Sequence, residues 1–153
     1  MVDEAARADD DDTGPGVVAG ESFSATHRFT PEGVRAFSLA MGDTNPLHLD
    51  DAVAARSRYG RLIASGTHTA ALLMGLTASH FSKRSTVVGV GFDIAFRRPV
   101  FATACVTLAW TVTGVKPHRG GPGRLVALRG AVRDEAGRAC VEATGTVLVG
   151  FED

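Results

Sequence analysis

The chain has 153 residues, of which 44% are hydrophobic and 7% aromatic, and its formal net charge is −1. This length suits one domain with an ordinary core, and a charge near zero argues against nucleic acid as the main partner. No apolar run is long enough to span a membrane, and we expect no signal peptide. Cys105 and Cys140 lie in apolar runs typical of strands, which indicates buried free thiols in a reducing compartment. We therefore expect a cytoplasmic protein.

The first 19 residues differ in composition from the rest of the chain. They contain four consecutive aspartates at 9–12, the sequence Gly-Pro-Gly at 14–16, and few bulky apolar side chains. Such a segment buries too little apolar surface to offset the entropy of ordering it. The sequence thus predicts a disordered acidic tail over residues 1–19 and a single domain over residues 20–153.

Helices dominate the first half of the predicted domain. Residues 21–29 alternate loosely and indicate a strand. Thr30 is a candidate N-cap, with proline at the next position, for a helix over residues 31–41. A short helix is predicted over residues 51–58. A longer one over residues 66–81 is apolar on most faces, which predicts burial.

Strands dominate the second half. Four segments rich in valine, threonine and aliphatic residues are long enough to be strands: 87–98, 104–115, 125–134 and 138–149. The last two are joined by Asp-Glu-Ala-Gly, a candidate hairpin turn, whereas the Gly- and Pro-rich loop at 116–123 should be mobile. One buried helix followed by antiparallel strands indicates the α+β class.

The segment Gly42–His48 places a carboxylate and an imidazole five positions apart. Pro46 restricts its own backbone and moves Asn45 away from helical geometry, while Asp43 favours a turn. The segment should therefore be rigid, and Asp43 and His48 could hold one water from two sides. The alternative is an ordinary loop that closes a helix, with a turn aspartate and a surface histidine.

A second segment, residues 60–76, leads into the predicted central helix. Ser65 is a plausible N-cap, and Gly66 leaves the first free N–H groups of the helix uncovered by a side chain. The N-terminus of a helix stabilises negative charge. This segment could therefore stabilise an oxyanion.

The two segments together resemble the MaoC-like (R)-specific enoyl-CoA hydratases and acyl dehydratases. The shared pattern is Gly-Asp-x-Asn-Pro-x-His followed by a Gly-led helix, without gaps from about residue 37 to residue 76. It resumes at Phe96, Pro99 and Val100, in a Phe-x-x-Pro-Val strand. The resemblance implies a single hot-dog domain, in which an antiparallel sheet wraps around a long central helix.

The resemblance also implies a reaction and its residues. Asp43 and His48 would hold a water that adds to a trans-2-enoyl thioester to form an (R)-3-hydroxyacyl thioester. The Gly66 N–H would stabilise the enolate-like oxygen, and Asn45 and Ser65 would support these groups. Addition of water across one face of the double bond predicts syn stereochemistry. The substrate would be carried as a thioester of coenzyme A or acyl carrier protein, and no metal or other cofactor is expected.

Five further residues are weaker candidates for substrate binding. Tyr59 would lie at the pocket rim, and Thr67 is a weak candidate at the start of the predicted central helix. Arg97 and Arg98 interrupt an apolar strand and could meet phosphates, because arginine suits phosphate geometry; the alternative is solvent-facing charge at a strand end. His68 could line the acyl pocket, or it could cap and pack at a subunit contact, and we expect the structural role.

Two other functions stay open at this level. A hot-dog acyl thioesterase would share the fold, although such enzymes generally lack the Asp-x-Asn-Pro-x-His arrangement. A non-catalytic acyl-binding or assembly subunit is also compatible, because Ser65, Met74 and Thr103 replace residues that many family members have at those positions. A single hot-dog domain leaves one sheet face apolar, so we expect at least a homodimer.

Overall fold

Five antiparallel strands form one sheet, and a long helix lies against one face of it. The computed structural model describes residues 16–151. The strand order across the sheet is β1-β3-β4-β5-β2. The elements in chain order are β1 (Ser22–Arg28), α1 (Pro31–Ala40), a 3-10 turn (Pro46–His48), α2 (Asp51–Arg56), α3 (Gly66–Phe81), β2 (Val87–Phe96), β3 (Cys105–Pro117), β4 (Arg124–Arg133) and β5 (Ala139–Val149). The predicted α+β class, with a sheet around a central helix, is confirmed.

The core lies between α3 and the inner face of the sheet. Alternate residues of β3, β4 and β5 are buried, as the two-residue period of a strand requires. Leu73 and Phe81 of α3 are fully buried against them, and each such side chain contributes about 1.5–3 kcal/mol by leaving water. The Trp110 indole N–H donates to the Leu73 carbonyl oxygen at 2.7 Å, which ties the helix to the sheet.

Both predicted helix caps are confirmed. The Thr30 hydroxyl accepts from the Gly33 N–H at 3.1 Å, and the Ser65 hydroxyl accepts from the His68 N–H at 3.2 Å. The prediction that α3 is buried holds for only part of its surface. The helix exposes a stripe that includes Met74, because the sheet curves around only one side of it.

Several sequence-based boundaries shift by one or two residues in the structure, and two differences add contacts that the sequence did not predict. Strand β3 continues to Pro117, which pairs with Arg124, so the predicted mobile loop is partly strand. Its neighbour β4 supplies hydrogen-bond partners that local composition does not reveal. At the N-terminus, Val17 packs against the core and the Gly20 N–H donates to the Val112 carbonyl oxygen at 2.8 Å. The remainder of the predicted tail, residues 1–15, lies outside the described residues.

Candidate active site

The 3-10 turn after α1 carries His48 and holds its ring in one orientation. The Asn45 side chain caps this turn by accepting from the Leu47 N–H at 3.1 Å. His48 is only 7% exposed, and its Nδ1 lies 2.8 Å from the Ile63 carbonyl oxygen. A carbonyl can only accept, so Nδ1 carries the hydrogen and donates it. In the neutral ring this leaves a lone pair on Nε2.

The carboxylate of Asp43 stands opposite that nitrogen. Gly42 adopts a φ of +72°, which ends α1 and turns the chain toward His48. Asp43 Oδ1 accepts from the Asn45 N–H at 2.9 Å, and Oδ2 lies 3.7 Å from His48 Nε2. This separation exceeds a direct hydrogen bond, and one water can contact both atoms.

Gly66 is the first residue of α3, so its N–H has no partner within the helix. The buried Ser65 fixes this helix start through its capping bond to the His68 N–H. A Cβ built on Gly66 would lie 2.9 Å from two atoms of the Phe96 ring, so a side chain at position 66 would require that ring to move.

A cleft of about 670 Å³ joins most of these groups. The predicted site residues that line it include His48, Gly66, Tyr59 and Thr67. Apolar side chains, among them Ile63, form much of the remaining wall. Asp43 does not line the cleft itself, but its Oδ2 lies 3.7 Å from Nε2 of His48, which does. The structure therefore gathers most of the sequence-predicted site around one cavity.

Three guanidinium groups border this cleft, and the sequence pointed to two of them. Arg97 is paired with Glu142 at 2.9 Å. Arg98 donates to the Ala139 carbonyl oxygen at 2.8 Å. Because a carbonyl is uncharged, this hydrogen bond does not neutralise the guanidinium charge. Arg58, which sequence reasoning missed, lies 5.3 Å from the centre of the neighbouring tyrosine ring. It lies in the turn that follows α2, and no pattern in the sequence distinguished it from other surface arginines.

His68 lies elsewhere, in contact with α1 and β1. Its ring stacks on Phe37 at 4.2 Å between centroids and meets Phe29 edge-on at 5.0 Å. It is 8% exposed, and its Nδ1 has no hydrogen-bond partner among the described residues. Burial lowers the pKa of His68, and the nearby His27 lowers it further. The structure thus places His68 in a packing position and not in the cleft.

Comparison with known proteins agrees with this architecture. A family model described as "MaoC like domain" matches residues 18–128. An "(R)-specific enoyl-CoA hydratase" of Aeromonas caviae is 33% identical over 100 residues, which cover 65% of this chain and 74% of that protein.

Two solved structures share the fold across nearly their whole length. An (R)-hydratase from A. caviae involved in PHA biosynthesis superposes with a TM-score of 0.77 at 27% identity, covering 90% of this chain and 98% of that one. A MaoC-like dehydratase from Rhodospirillum rubrum gives a TM-score of 0.76 at 26% identity, covering 90% and 95%. With its hot-dog fold and its family-model match over most of its length, the chain belongs to the MaoC-like domain family.

Proposed function

We propose that the protein is a hydratase that interconverts trans-2-enoyl thioesters and (R)-3-hydroxyacyl thioesters. One observation carries the proposal: Asp43 Oδ2 and His48 Nε2 face each other at 3.7 Å beside the cleft that holds the N-terminus of α3. Its similarity to an (R)-specific enoyl-CoA hydratase supports the same reaction.

The proposed addition of water depends on two hydrogen-bond acceptors, Asp43 Oδ2 and His48 Nε2. A water between Asp43 and His48 donates one hydrogen to each, so its lone pairs face the cleft and the substrate. As Asp43 takes a proton, the water oxygen bonds to the β-carbon, and the electrons of the double bond move onto the thioester oxygen. The Gly66 N–H and the α3 N-terminus stabilise that oxygen. Asp43 then returns the proton to the α-carbon on the same face, which gives syn addition.

The remaining cleft residues suit a thioester with a charged carrier. Apolar walls near Ile63 and Val141 would contact the acyl group, and Tyr59 and Thr67 would border it. The guanidinium groups of Arg58 and Arg98 would attract phosphate, either of coenzyme A or of the phosphopantetheine arm on an acyl carrier protein.

We also propose that the protein works as a homodimer. Within residues 16–151, edge strand β2 has a sheet neighbour on one side only, namely β5. Val88 and Val90 on this strand are 47% and 59% exposed, and Met74 of α3 is 38% exposed. An apolar surface beside an open sheet edge favours pairing with another chain. Sedimentation velocity checks this, because Val90→Glu should shift the wild-type dimer toward monomer.

A cytoplasmic location is part of the same proposal. Both cysteines are free thiols in the structure, which suits a reducing compartment. Within residues 16–151, no helix is long and apolar enough to cross a membrane.

The deciding experiment is a hydration assay with crotonyl-CoA and longer trans-2-enoyl-CoA substrates. Loss of the enoyl thioester absorbance without release of free thiol is expected for a hydratase. Release of thiol instead would indicate a thioesterase. Neither change, with the protein folded, would indicate a non-catalytic subunit.

A further inference from the structure

Phe96 occupies an unusual place for an aromatic side chain. It is the last residue of β2 and 57% exposed, yet it lines the same cleft as His48 and Gly66. Three atoms of its ring lie 2.9, 2.9 and 3.2 Å from the position of a Cβ on Gly66. The ring therefore lies directly beside the start of α3.

Core packing does not account for this position. More than half of the Phe96 surface is open to solvent, so its burial contributes little to stability. Among the described residues, no aromatic ring stacks on it or meets it edge-on. Its ring lies against Gly66, whose N–H is the proposed oxyanion donor. An apolar ring at that point reduces the access of water to the N–H.

We propose that Phe96 is a positioning residue for the thioester, an inference that rests on the proposed hydratase function. Its ring packs against the atoms attached to the thioester carbonyl carbon and excludes water from the Gly66 N–H. A hydrogen bond to the developing oxyanion is stronger where water does not compete for the same donor. The glycine at position 66 is then required for room as well as for its N–H, because any Cβ displaces the ring.

Four variants test this assignment: Phe96→Ala, Phe96→Leu, Gly66→Ala and the double variant Gly66→Ala/Phe96→Ala. Phe96→Ala should lower kcat for crotonyl-CoA by about tenfold, since misplaced substrate loses oriented contact with the donor. Phe96→Leu keeps an apolar wall and should stay within about threefold of wild type. Gly66→Ala retains its N–H but displaces the ring, so it should match Phe96→Ala. The double variant should be no worse than either single variant.

The control is Leu39→Ala, which removes an apolar side chain on α1 that is 61% exposed and outside the cleft. It should leave kcat and KM at wild-type values. Melting temperature and sedimentation should stay unchanged in all five variants, which separates positioning from folding and from dimer formation. Wild-type kcat and KM in Phe96→Ala would overturn the proposal. The proposal would also be overturned if the fold-losses in kcat of Gly66→Ala and Phe96→Ala multiplied in the double variant.

A binding measurement separates this inference from the proposed function. Butyryl-CoA is saturated and cannot be hydrated, so calorimetric titration reports thioester binding without turnover. Phe96→Ala should weaken its binding by about fivefold, and Phe96→Leu should not. If wild type and Phe96→Ala hydrate crotonyl-CoA equally well, only the role of Phe96 is refuted. A wild-type protein that neither hydrates crotonyl-CoA nor binds butyryl-CoA refutes both proposals.

Discussion

His48 Nε2 and Asp43 Oδ2 face each other at 3.7 Å, and each is the free acceptor of its side chain. The other imidazole nitrogen donates to the Ile63 carbonyl oxygen, and the other carboxylate oxygen accepts from the Asn45 N–H. In the proposed mechanism, a water bound between them would donate both of its hydrogens. Its lone pairs would then face outward, so the water would be oriented as a nucleophile before substrate arrives.

Removal of either acceptor should disable hydration. Asp43→Asn and His48→Ala should each lower the hydration rate by roughly 10²–10⁴-fold, the scale of positioned acid–base catalysis. The double variant should lose little more than the worse single one, because both residues act on one water. Asp93→Asn, on β2 but outside the cleft lining, serves as the carboxylate control in the same absorbance assay. Full activity in either single variant would end this assignment.

The role of the Gly66 N–H can be separated from the room that glycine provides. In a Phe96→Ala background the ring is gone, so Gly66→Ala and Gly66→Pro then differ chiefly in the N–H. The proline variant should be slower by about 10²–10³-fold, as expected for loss of one oxyanion donor. Proline is tolerated at the first position of a helix, so circular dichroism should show α3 intact. Equal rates in the two variants would exclude Gly66 as the donor.

His68 should make stability depend on pH. Burial, followed by the charge of His27, holds the pKa of His68 below its usual range, so the folded protein keeps the ring neutral. The unfolded chain takes up a proton at its ordinary pKa of about 6.5. Stability from this group is therefore complete above that pH and is lost as the pH falls toward the lowered pKa. Melting temperatures measured from pH 7.5 to 5.5 should decline more steeply for wild type than for His68→Gln.

The same variant tests whether His68 takes part in the reaction. Because His68 packs on Phe37 outside the cleft, His68→Gln should keep the hydration rate within about tenfold of wild type. Its melting temperature at pH 7.5 should fall, since the stacked ring is lost. A collapse of the rate as large as that of His48→Ala, in folded protein, would move His68 into the catalytic set.

Two truncations should locate the N-terminal edge of the domain. Deletion of residues 1–15 should leave melting temperature and activity nearly unchanged, because a charged segment with few apolar side chains buries little surface. Deletion of residues 1–19 should lower the melting temperature, because it removes Val17 from the core. If the shorter deletion already lowers it, the aspartate run must contact the folded protein.

Local chemistry alone determined much of this protein. The apolar composition of residues 66–81 after a candidate N-cap predicted α3 with the ends that the structure shows, and the Thr30 and Ser65 caps follow from short-range hydrogen bonds. The turn around Asn45 and Pro46 indicated that Asp43 and His48 would approach each other. These features depend on side chains within a few residues of one another, and the sequence displays such relationships directly.

Tertiary structure alone decided which partners complete the site. The Ile63 carbonyl selects the tautomer of His48, but every residue has a carbonyl, so no sequence pattern marks this one. The Phe96 ring contacts Gly66 although the two residues are 30 positions apart, because β2 packs against α3. The packing of α1 against α3 places His68 on Phe37, away from the cleft. Contacts between distant segments depend on how the helix lies in the curved sheet, and local propensity carries no information about that.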